Sequence, residues 1–575
     1  MEKRAMIALA MSMVVFAVFM YIGQRSRVGQ VPPTQQGEQP GQAQQPQQAQ
    51  PPLAPAPAPA LPAAKPPQAT TPAPAAAKPG RDVVVETPLF RAVFTDAGGR
   101  LKSFQLKKYR ENLPFTPIYQ FKVGPVSLDL DRYHNPENSL AQPKEMVNTG
   151  PGQNYDLDLG WQGSSLSGST GGGPISWVAS QPGLTLQDAG KGTLQFTGRS
   201  SSGLTFIKTF TFKADSYAYD LTVQVVNQTG QTVDGQLDLD LREDFAGEVA
   251  GRYQSFGFNG SVNNSWTEIK SGGLKKPQTL TGKIDWAGLD EGYFLTAMVP
   301  QAAPKSLVLL KETLPGPMVA SLRTPVENLA PGRKAQFTYG LYFGPKDQKD
   351  LQSLGLERAV NFGWFNFLGQ PLLYALNFFE RYCGNYGWAI VILTFVIRIL
   401  FFYPNHKSYK SMKAMQKLQP KVAKIREKYK DDKEAMNKEM MGLYKTFKVN
   451  PLAGCLPMVI QLPVFIALYR VLGSAIELRH ASFIPTLPFT HIVWLADLST
   501  KDPLLITPLV MGGTMFLQQK MTPSPGDPAQ AKMMMFLPVV FTFMFLNFAS
   551  GLVIYWLVNN VLSIIQQHYT NKYIS

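Results

Sequence analysis

Residues 386–403 read YGWAIVILTFVIRILFFY, an apolar run carrying a single charge, Arg398. About 20 helical residues at a rise of ~1.5 Å span the roughly 30 Å of bilayer hydrocarbon, so this run is long enough to cross a membrane. A cation inside such a helix costs about 2.5–3.5 kcal/mol on insertion scales and reads by default as functional. Position alone leaves two placements. Arg398 sits five residues from the end of the run, close enough for its stem to snorkel to the headgroups, or it faces a polar cavity inside a bundle.

Just downstream, residues 407–448 hold twelve lysines and Arg426 against Glu427, Asp431, Asp432, Glu434 and Glu439, much of the net charge of +15. A basic segment beside a spanning helix marks the cytoplasmic side. Its lysines alternate with an apolar stripe and no stacking aromatics are interleaved, so a nucleic-acid partner is not expected. Met412, Met415, Leu418, Val422, Ile425 and Tyr429 recur at spacings of three and four, Lys430-Asp431-Asp432 breaks the pattern, and Met436, Met440, Leu443 and Phe447 resume it. This predicts two amphipathic helices in an antiparallel hairpin. Lys413, Lys417, Lys421, Lys424, Arg426 and Lys428 then lie on its outer face, toward anionic membrane lipids and acidic or ribosomal partners.

The fold class expected is a polytopic α-helical membrane protein carrying an all-β sandwich outside the membrane. Residues 1–24 are an uncleaved N-terminal anchor, because the run 5–22 follows Lys3 and Arg4 and ends without a small-residue cleavage site. Residues 25–80, rich in Pro, Ala and Gln, form a disordered linker. Residues 81–345 alternate with period two between Gly, Asn and Asp turns such as 96–99 and 227–230, the pattern of an antiparallel sandwich. The glycine-serine stretch 163–173 is a loop that fits no phosphate-binding pattern, and Asp238, Asp240, Glu243 and Asp244 read as a solvated strand edge. Residues 346–384 connect to the core through a helix dense in Trp and Phe, suited to the interface plane. The core, 385–569, contains the hairpin and five spans: 386–403, 451–472, 504–517, 533–548 and 552–565. With the hairpin inside, both termini are cytoplasmic and residues 25–385 lie outside. Residues 570–575 are a short tail. Several spans are short enough to thin the bilayer locally.

Inside the five runs sit Thr394, Arg398, Gln461, Thr514, Asn559, Asn560 and Ser563, with no carboxylate at comparable depth. An unpaired buried cation is untenable in dry hydrocarbon. The shared depth of Arg398, Gln461 and Asn559 favours a hydrated groove open to the cytoplasm over isolated snorkelling, as do Pro451, Pro457 and Pro463, whose freed carbonyls need water or neighbours. His134, His406, His480, His491 and His568 are scattered without metal-ligand spacing, and no nucleotide loop exists, so no enzyme activity, metal or cofactor is expected.

The stretch from Tyr386 through Gln567 resembles the YidC-type membrane protein insertases. The resemblance is carried by Gly387-Trp388 leading into Thr394 and Arg398, Tyr403-Pro404, Leu418-Gln419-Pro420-Lys421, Val449-Asn450-Pro451-Leu452-Ala453-Gly454-Cys455-Leu456-Pro457, Gln461-Leu462-Pro463, Asp502-Pro503 and Ser550-Gly551-Leu552-Val553-Ile554-Tyr555-Trp556. It extends more weakly over the external domain, which then resembles the periplasmic β-supersandwich of the Gram-negative type, related to sugar mutarotases. The resemblance implies a bacterial inner-membrane location, a groove with Arg398 as its positive charge, and substrate contact by Tyr555 and Trp556. It also implies nascent membrane proteins as clients and the Sec translocon as a partner. Many relatives end in a long basic tail; here the sequence ends at Asn571-Lys572-Tyr573-Ile574-Ser575, so ribosome binding would rest on the hairpin. The alternatives are a transporter or channel, which lacks inverted repeats and paired intramembrane charges here, and a membrane-anchored sugar-binding protein, for which His134 is the sandwich's one histidine.

Overall fold

The computed structural model describes residues 80–113, 115–123, 126–133, 142–148, 155–163, 175–245, 256–271, 273–274, 276–301, 306–312, 317–447, 449, 456–522 and 528–573. The expected anchor, the linker to residue 79, His134, nearly all of the loop 163–173, the motif residues 450–455 and the last two residues of the tail lie outside these.

Up to residue 345 the described chain is β-structure. Leu204–Lys213 places Leu204, Phe206, Lys208, Phe210 and Phe212 on one buried face, and Ala218–Asn227 pairs antiparallel beside it. These belong to a nine-stranded sheet whose order runs Ser265–Lys270, Phe256–Val262, Ile284–Glu291, Phe294–Pro300, Lys334–Pro345, Ala218–Asn227, Leu204–Lys213, Lys191–Ser200, Ile175–Ala179. A five-stranded sheet contains Asp82–Glu86, Phe90–Thr95 and Arg100–Arg110, and a six-stranded sheet is centred on Met318–Arg323 and Val233–Glu243. Aromatic rings from two sheets meet in one layer: Phe90 on Phe104 at 4.5 Å, Phe94 on Phe210 at 4.8 Å, Phe212 on Tyr219 at 5.0 Å. One pairing departs from the antiparallel expectation, since Asp82–Glu86 lies parallel to Gly183–Thr185. The two are nearly a hundred residues apart, and a connection that long allows either direction.

The turn at 96–99 forms as its sequence predicts, with Gly98 and Gly99 at φ +99° and +54°. Its carbonyls have a further role. Lys208, at an inward strand position, donates from Nζ to the carbonyls of Gly98 (2.8 Å), Gly99 (3.0 Å) and Leu157 (2.7 Å). Burial pulls this amine down to about 7, against the opposing pull of Asp158.

The acidic cluster is not a solvated edge. Asp238 and Glu243 are buried, Asp238 receives both Nε and Nη2 of Arg323 at 2.7 Å, and Asp240 pairs with Arg242 and accepts from Ser321. Val233–Glu243 is an interior strand paired along both edges, which the acidic alternation conceals. Nearby Asp156 accepts the Arg242 amide at Oδ1 while Oδ2 is buried without a hydrogen bond. Burial pushes its carboxyl up to about 8, partly offset by that amide and by the Arg242 charge.

The helices that follow are α1 (Asn366–Cys383), α2 (Tyr386–Leu400), α3 (Phe402–Lys428), α4 (Lys433–Thr446), α5 (Leu456–Ser474), α6 (Ile506–Met521), α7 (Pro528–Phe545) and α8 (Ser550–Tyr573). Helix α1 buries Leu372, Leu373 and Leu376 and exposes Phe367, Tyr374, Phe378 and Tyr382. The hairpin forms from α3 and α4, with Asp432 capping α4 through Ala435 N–H at 2.9 Å and Lys421 over the Phe447 ring at 4.2 Å. The run 386–403 is not one straight helix. It breaks at Phe401 with a 64° bend. Pro404 supplies the reason: it has no N–H for the Leu400 carbonyl, so the helix restarts with Pro404 in its first turn.

Among the described residues no single helix is long and apolar enough to cross a membrane by length and hydropathy; the bent pair α2–α3 is. Yet the surface divides sharply. In the β-region the exposed large hydrophobics among the described residues are Val178 and Val326, whereas from Trp364 onward α1, α2, α6, α7 and α8 expose many, including Trp388, Phe395, Leu509, Phe536, Val540 and Phe543. Patches of this extent mark contact with a membrane or partner.

Two predictions follow from the sandwich. Lys208→Met leaves three interior carbonyls without a donor and should cost about 3 kcal/mol, read as a lowered unfolding midpoint of the β-sheet circular dichroism signal. Asp156 binds a proton in the folded state at pH values where the unfolded chain has lost it. Its contribution to stability is therefore complete below the ordinary carboxylate value of 3.8 and lost as pH rises through about 8. Asp156→Asn should flatten the fall in midpoint between mildly acidic and mildly alkaline buffer.

Candidate functional site: a buried polar layer in the helical bundle

Helix α8 packs against α2, α3, α5 and α6. The orphan amides of its first turn are satisfied by the preceding loop: Ser550 N–H donates to Thr500 O (2.6 Å) and Gly551 N–H to Leu498 O (3.0 Å). Helix α6 starts the same way. Buried Asp502 accepts from the Leu504 amide (2.9 Å), the Thr507 amide and hydroxyl (both 2.7 Å) and the Trp494 indole (3.3 Å).

The first part of α8 is apolar and buried from Leu552 to Tyr555. The Tyr555 hydroxyl accepts from Gln461 Nε2 on α5, and Trp556 packs edge-on against Phe465 at 4.9 Å and near Phe545 at 5.3 Å. Beyond Trp556 the helix turns inside out. Asn560, Ser563, Gln566, Gln567 and Thr570 are buried, while Val561 and Ile565 face outward, Ile565 at 59% exposure. In water a helix buries its apolar stripe. Polar residues inside and apolar residues outside are stable where the surroundings are hydrocarbon.

Arg398 joins this layer from α2. It is 8% exposed and donates from Nη2 to the Tyr409 hydroxyl of α3 at 3.1 Å. Its Nε is buried without an acceptor, and among the described residues it forms no ion pair. Thr394, one turn earlier, donates to its own helix at Ile390 O (2.6 Å). Thr514 donates to Met511 O (2.7 Å) and accepts from Asn560 Nδ2 (3.4 Å), and Ser563 donates to Asn559 O (2.7 Å). Gln461, Thr514, Trp556 and Asn559 are half-buried. The hairpin residues Lys413, Lys417, Lys421, Lys424, Arg426 and Lys428 lie along α3 outside this layer, four of the lysines exposed and Lys413 and Arg426 half-buried.

Sequence reasoning missed the end of the layer formed by the last turns of α8. Gln566 Nε2 donates to Phe402 O (3.1 Å) at the α2–α3 break, and Gln567 Nε2 to Met521 O (2.9 Å) at the last residue of α6. Thr570 donates to Gln566 O (2.9 Å) and faces His406 Nδ1 at 3.4 Å. Both glutamine Oε1 atoms are buried without donors. The available signal was polar recurrence at 559, 563, 566 and 570, a helical stripe running past residue 565 where the apolar run stops. Among the described residues no group of three or more His, Cys, Asp or Glu side chains is placed to hold a metal ion.

A layer of this kind belongs to membrane proteins, and comparison with known sequences narrows the class. The membrane protein insertase YidC of Nitratidesulfovibrio vulgaris is 41% identical over 572 residues, covering 98% of each chain, and that of Citrifermentans bemidjiense is 41% identical over 588 residues, covering 100% of this chain and 99% of its own. This chain belongs to the YidC family of membrane protein insertases. The family profiles described as 60Kd inner membrane protein and YidC periplasmic domain match residues 378–575 and 126–375, which sets it among inner-membrane proteins with a largely β periplasmic domain. A solved chain described as an active YidC insertase with the first transmembrane domain resolved aligns over 86% of this chain and 95% of its own at 17% identity, TM-score 0.34. A galactose mutarotase-like protein from Lactobacillus casei aligns over 46% of this chain and 99% of its own at 11% identity, TM-score 0.27.

Within this insertase the Asp502 cap carries a direct expectation. Asp502→Ala removes a carboxylate with four hydrogen bonds at the start of α6 and should cost about 2 kcal/mol, measured as a lower thermal midpoint in detergent, while Asp502→Asn recovers part of it.

Proposed function

We propose that this chain inserts and helps fold integral inner-membrane proteins, and that the polar layer of α2, α6 and α8 is the path it offers them. Family membership supports the insertase activity. The inside-out half of α8 carries the mechanism: it presents hydrogen-bonding groups at a depth where lipid has none, which lowers the cost of moving a hydrophilic segment through hydrocarbon. Arg398, Thr394, Gln461, Thr514, Asn559 and Ser563 line a groove open to the cytoplasm and lipid, and Tyr555 and Trp556 meet the passing segment.

Arg398 attracts an acidic tail into the groove. The membrane potential, about 2.3 kcal/mol per charge per 100 mV, then favours its outward movement. Two of the helices are short: α2, at 15 residues, and α6, at 16, extend only ~22–24 Å at helical rise, against roughly 30 Å of hydrocarbon. Helices of that length thin the bilayer beside them and shorten the remaining path. The client's apolar segment then slides into lipid. No covalent step is needed.

In the arrangement we propose, an N-terminal anchor joins five core spans, both termini are cytoplasmic, residues 25–385 are periplasmic, and the α3–α4 hairpin stands in the cytoplasm beside anionic lipid. Its lysines are the surface for ribosome contact, and cooperation with the Sec translocon suits clients with large external domains.

The test is insertion of a single-span substrate with a short acidic tail into liposomes holding the purified protein, scored by protease protection. Arg398→Glu should lower insertion at least about tenfold, because reversing one charge at an effective dielectric near ~20 exceeds ~1.4 kcal/mol. Arg398→Lys should retain most of it, and a substrate with a neutral tail should distinguish the variants little. Equal insertion of the acidic substrate by wild type and Arg398→Glu, with both folded, removes the charge from the mechanism. No insertion above empty liposomes removes autonomous insertion.

A further inference from the structure

The loop between α5 and α6 contains a small β-hairpin, Ile484–Thr486 paired with Val493–Leu495. From residue 481 to residue 496 it holds no Asp, Glu, Lys or Arg, between Arg479 on one side and Asp497 on the other. An aqueous loop of that length normally carries charge. At the tip, Phe489 is fully exposed and adopts φ +65°, the left-handed region that a bulky non-glycine residue enters at a cost. The tip is closed by hydrogen bonds: Leu487 N–H donates to Ile492 O (2.9 Å), Thr490 N–H to Leu487 O (3.0 Å) and Thr490 Oγ1 to the same carbonyl (2.8 Å). The chain therefore holds an aromatic ring outward at two simultaneous costs, exposure and backbone strain, and recovers neither within itself.

Where the base of the hairpin is fixed says what receives the ring. Phe483 N–H donates to Leu495 O (2.9 Å), and Phe483 O accepts from Asn385 Nδ2 (3.1 Å), the same residue whose Oδ1 caps α2. The Phe483 ring meets Trp388 edge-on at 5.5 Å, and Trp388 is itself exposed on the apolar outside of α2. The Trp494 indole is held by Asp502 at the start of α6. The hairpin is thus anchored to the outer ends of two bundle helices, with Val493–Leu495 also lying against the strand Val126–Tyr133 of the β-domain, and its free tip is Leu487, Pro488 and Phe489.

We infer that this hairpin is a membrane foot, with Phe489 embedded in the outer leaflet at the boundary between headgroups and acyl chains. Aromatic rings partition favourably there, and the missing charge and the exposed ring are then both explained. The foot fixes the outer rim of the bundle to the lipid, independently of any client. The inference rests on the proposed orientation, in which the start of α2 marks the outer boundary of the hydrocarbon.

The experiment uses the full chain with Cys383 and Cys455 replaced by serine. Single cysteines are introduced at Thr490 beside the tip, at Val540 on the apolar outside of α7 and at Val178 on the β-domain, each labelled with a nitrobenzoxadiazole fluorophore. The protein is reconstituted in vesicles of phosphatidylethanolamine and phosphatidylglycerol, with or without a lipid spin-labelled near the headgroup, and iodide serves as the aqueous quencher. The label at 490 should lose most of its emission to the spin-labelled lipid, as at 540, while the label at 178 responds to iodide alone. Adding Phe489→Asp should move the 490 label from lipid quenching to iodide quenching. Iodide quenching at 490 with lipid quenching at 540 overturns the foot and leaves the membrane reading intact. Shielding of 490 from both quenchers means that protein covers the tip and also overturns it. Loss of lipid quenching at 540 as well refutes the orientation on which the inference stands.

Discussion

A polar group removed from water must find its partner inside the protein, and in hydrocarbon nothing else is on offer. The helical half of this insertase is arranged around that constraint. Asn560 reaches Thr514, Gln461 reaches Tyr555, Gln567 reaches the end of α6 and Gln566 the break between α2 and α3. These bonds tie α8 to α6 twice, to α5 and to the α2–α3 break, so the hydrogen bonds that settle the polar layer also assemble the bundle. Arg398 Nε, the Trp556 indole N–H and two glutamine carbonyls remain buried in the layer without a hydrogen-bond partner.

The β-domain solves the converse problem with an aromatic interior, and among its contacts with the helical half is a polar seam. Arg479, just after α5, donates to Glu111 O (2.8 Å) and lies 5.1 Å from the Phe294 ring, which Lys144 approaches at 5.6 Å. Lys144 is paired with Glu291 at 2.9 Å and with Glu111 at 3.4 Å. Beside the seam, Asn377 of α1 joins Glu477 to Tyr386. Buried charges in this region are therefore paired or bonded, as their burial demands.

Much of this was legible in the chain. Period-two alternation gave the strands around Leu204 and Tyr219, the turn at 96–99 lies where its glycines indicate, and the stripe from Met412 to Phe447 gave the hairpin. The polar residues at Thr394, Arg398, Gln461, Thr514 and Ser563 stood out because each interrupts an apolar run. Distant pairing was not legible: nothing near Asp82 announces a parallel partner at Gly183, and nothing in the spacing of Asp238 and Arg323 predicts a buried pair. Tyr409 escaped notice because its meeting with Arg398 depends on the bend at Phe401. Gln566 and Gln567 escaped because hydropathy ends a helix where its apolar residues end, and α8 continues for another two turns with its polarity turned inward.

The caps on α6 and α8 have a mechanical side. Between Leu498 and Thr507 one short loop secures the starts of both helices through backbone and carboxylate bonds, and the α5–α6 hairpin clasps the start of α2 to the same place. At the opposite ends the bonds among the described residues run through side chains: Gln566 to Phe402 O, Gln567 to Met521 O, Thr570 to His406 and Arg398 to Tyr409. A bundle tied by its loop at one end and by side chains at the other opens more readily at the second, as tongs do. In the orientation proposed above, that end faces the cytoplasm and the tied end faces the periplasm.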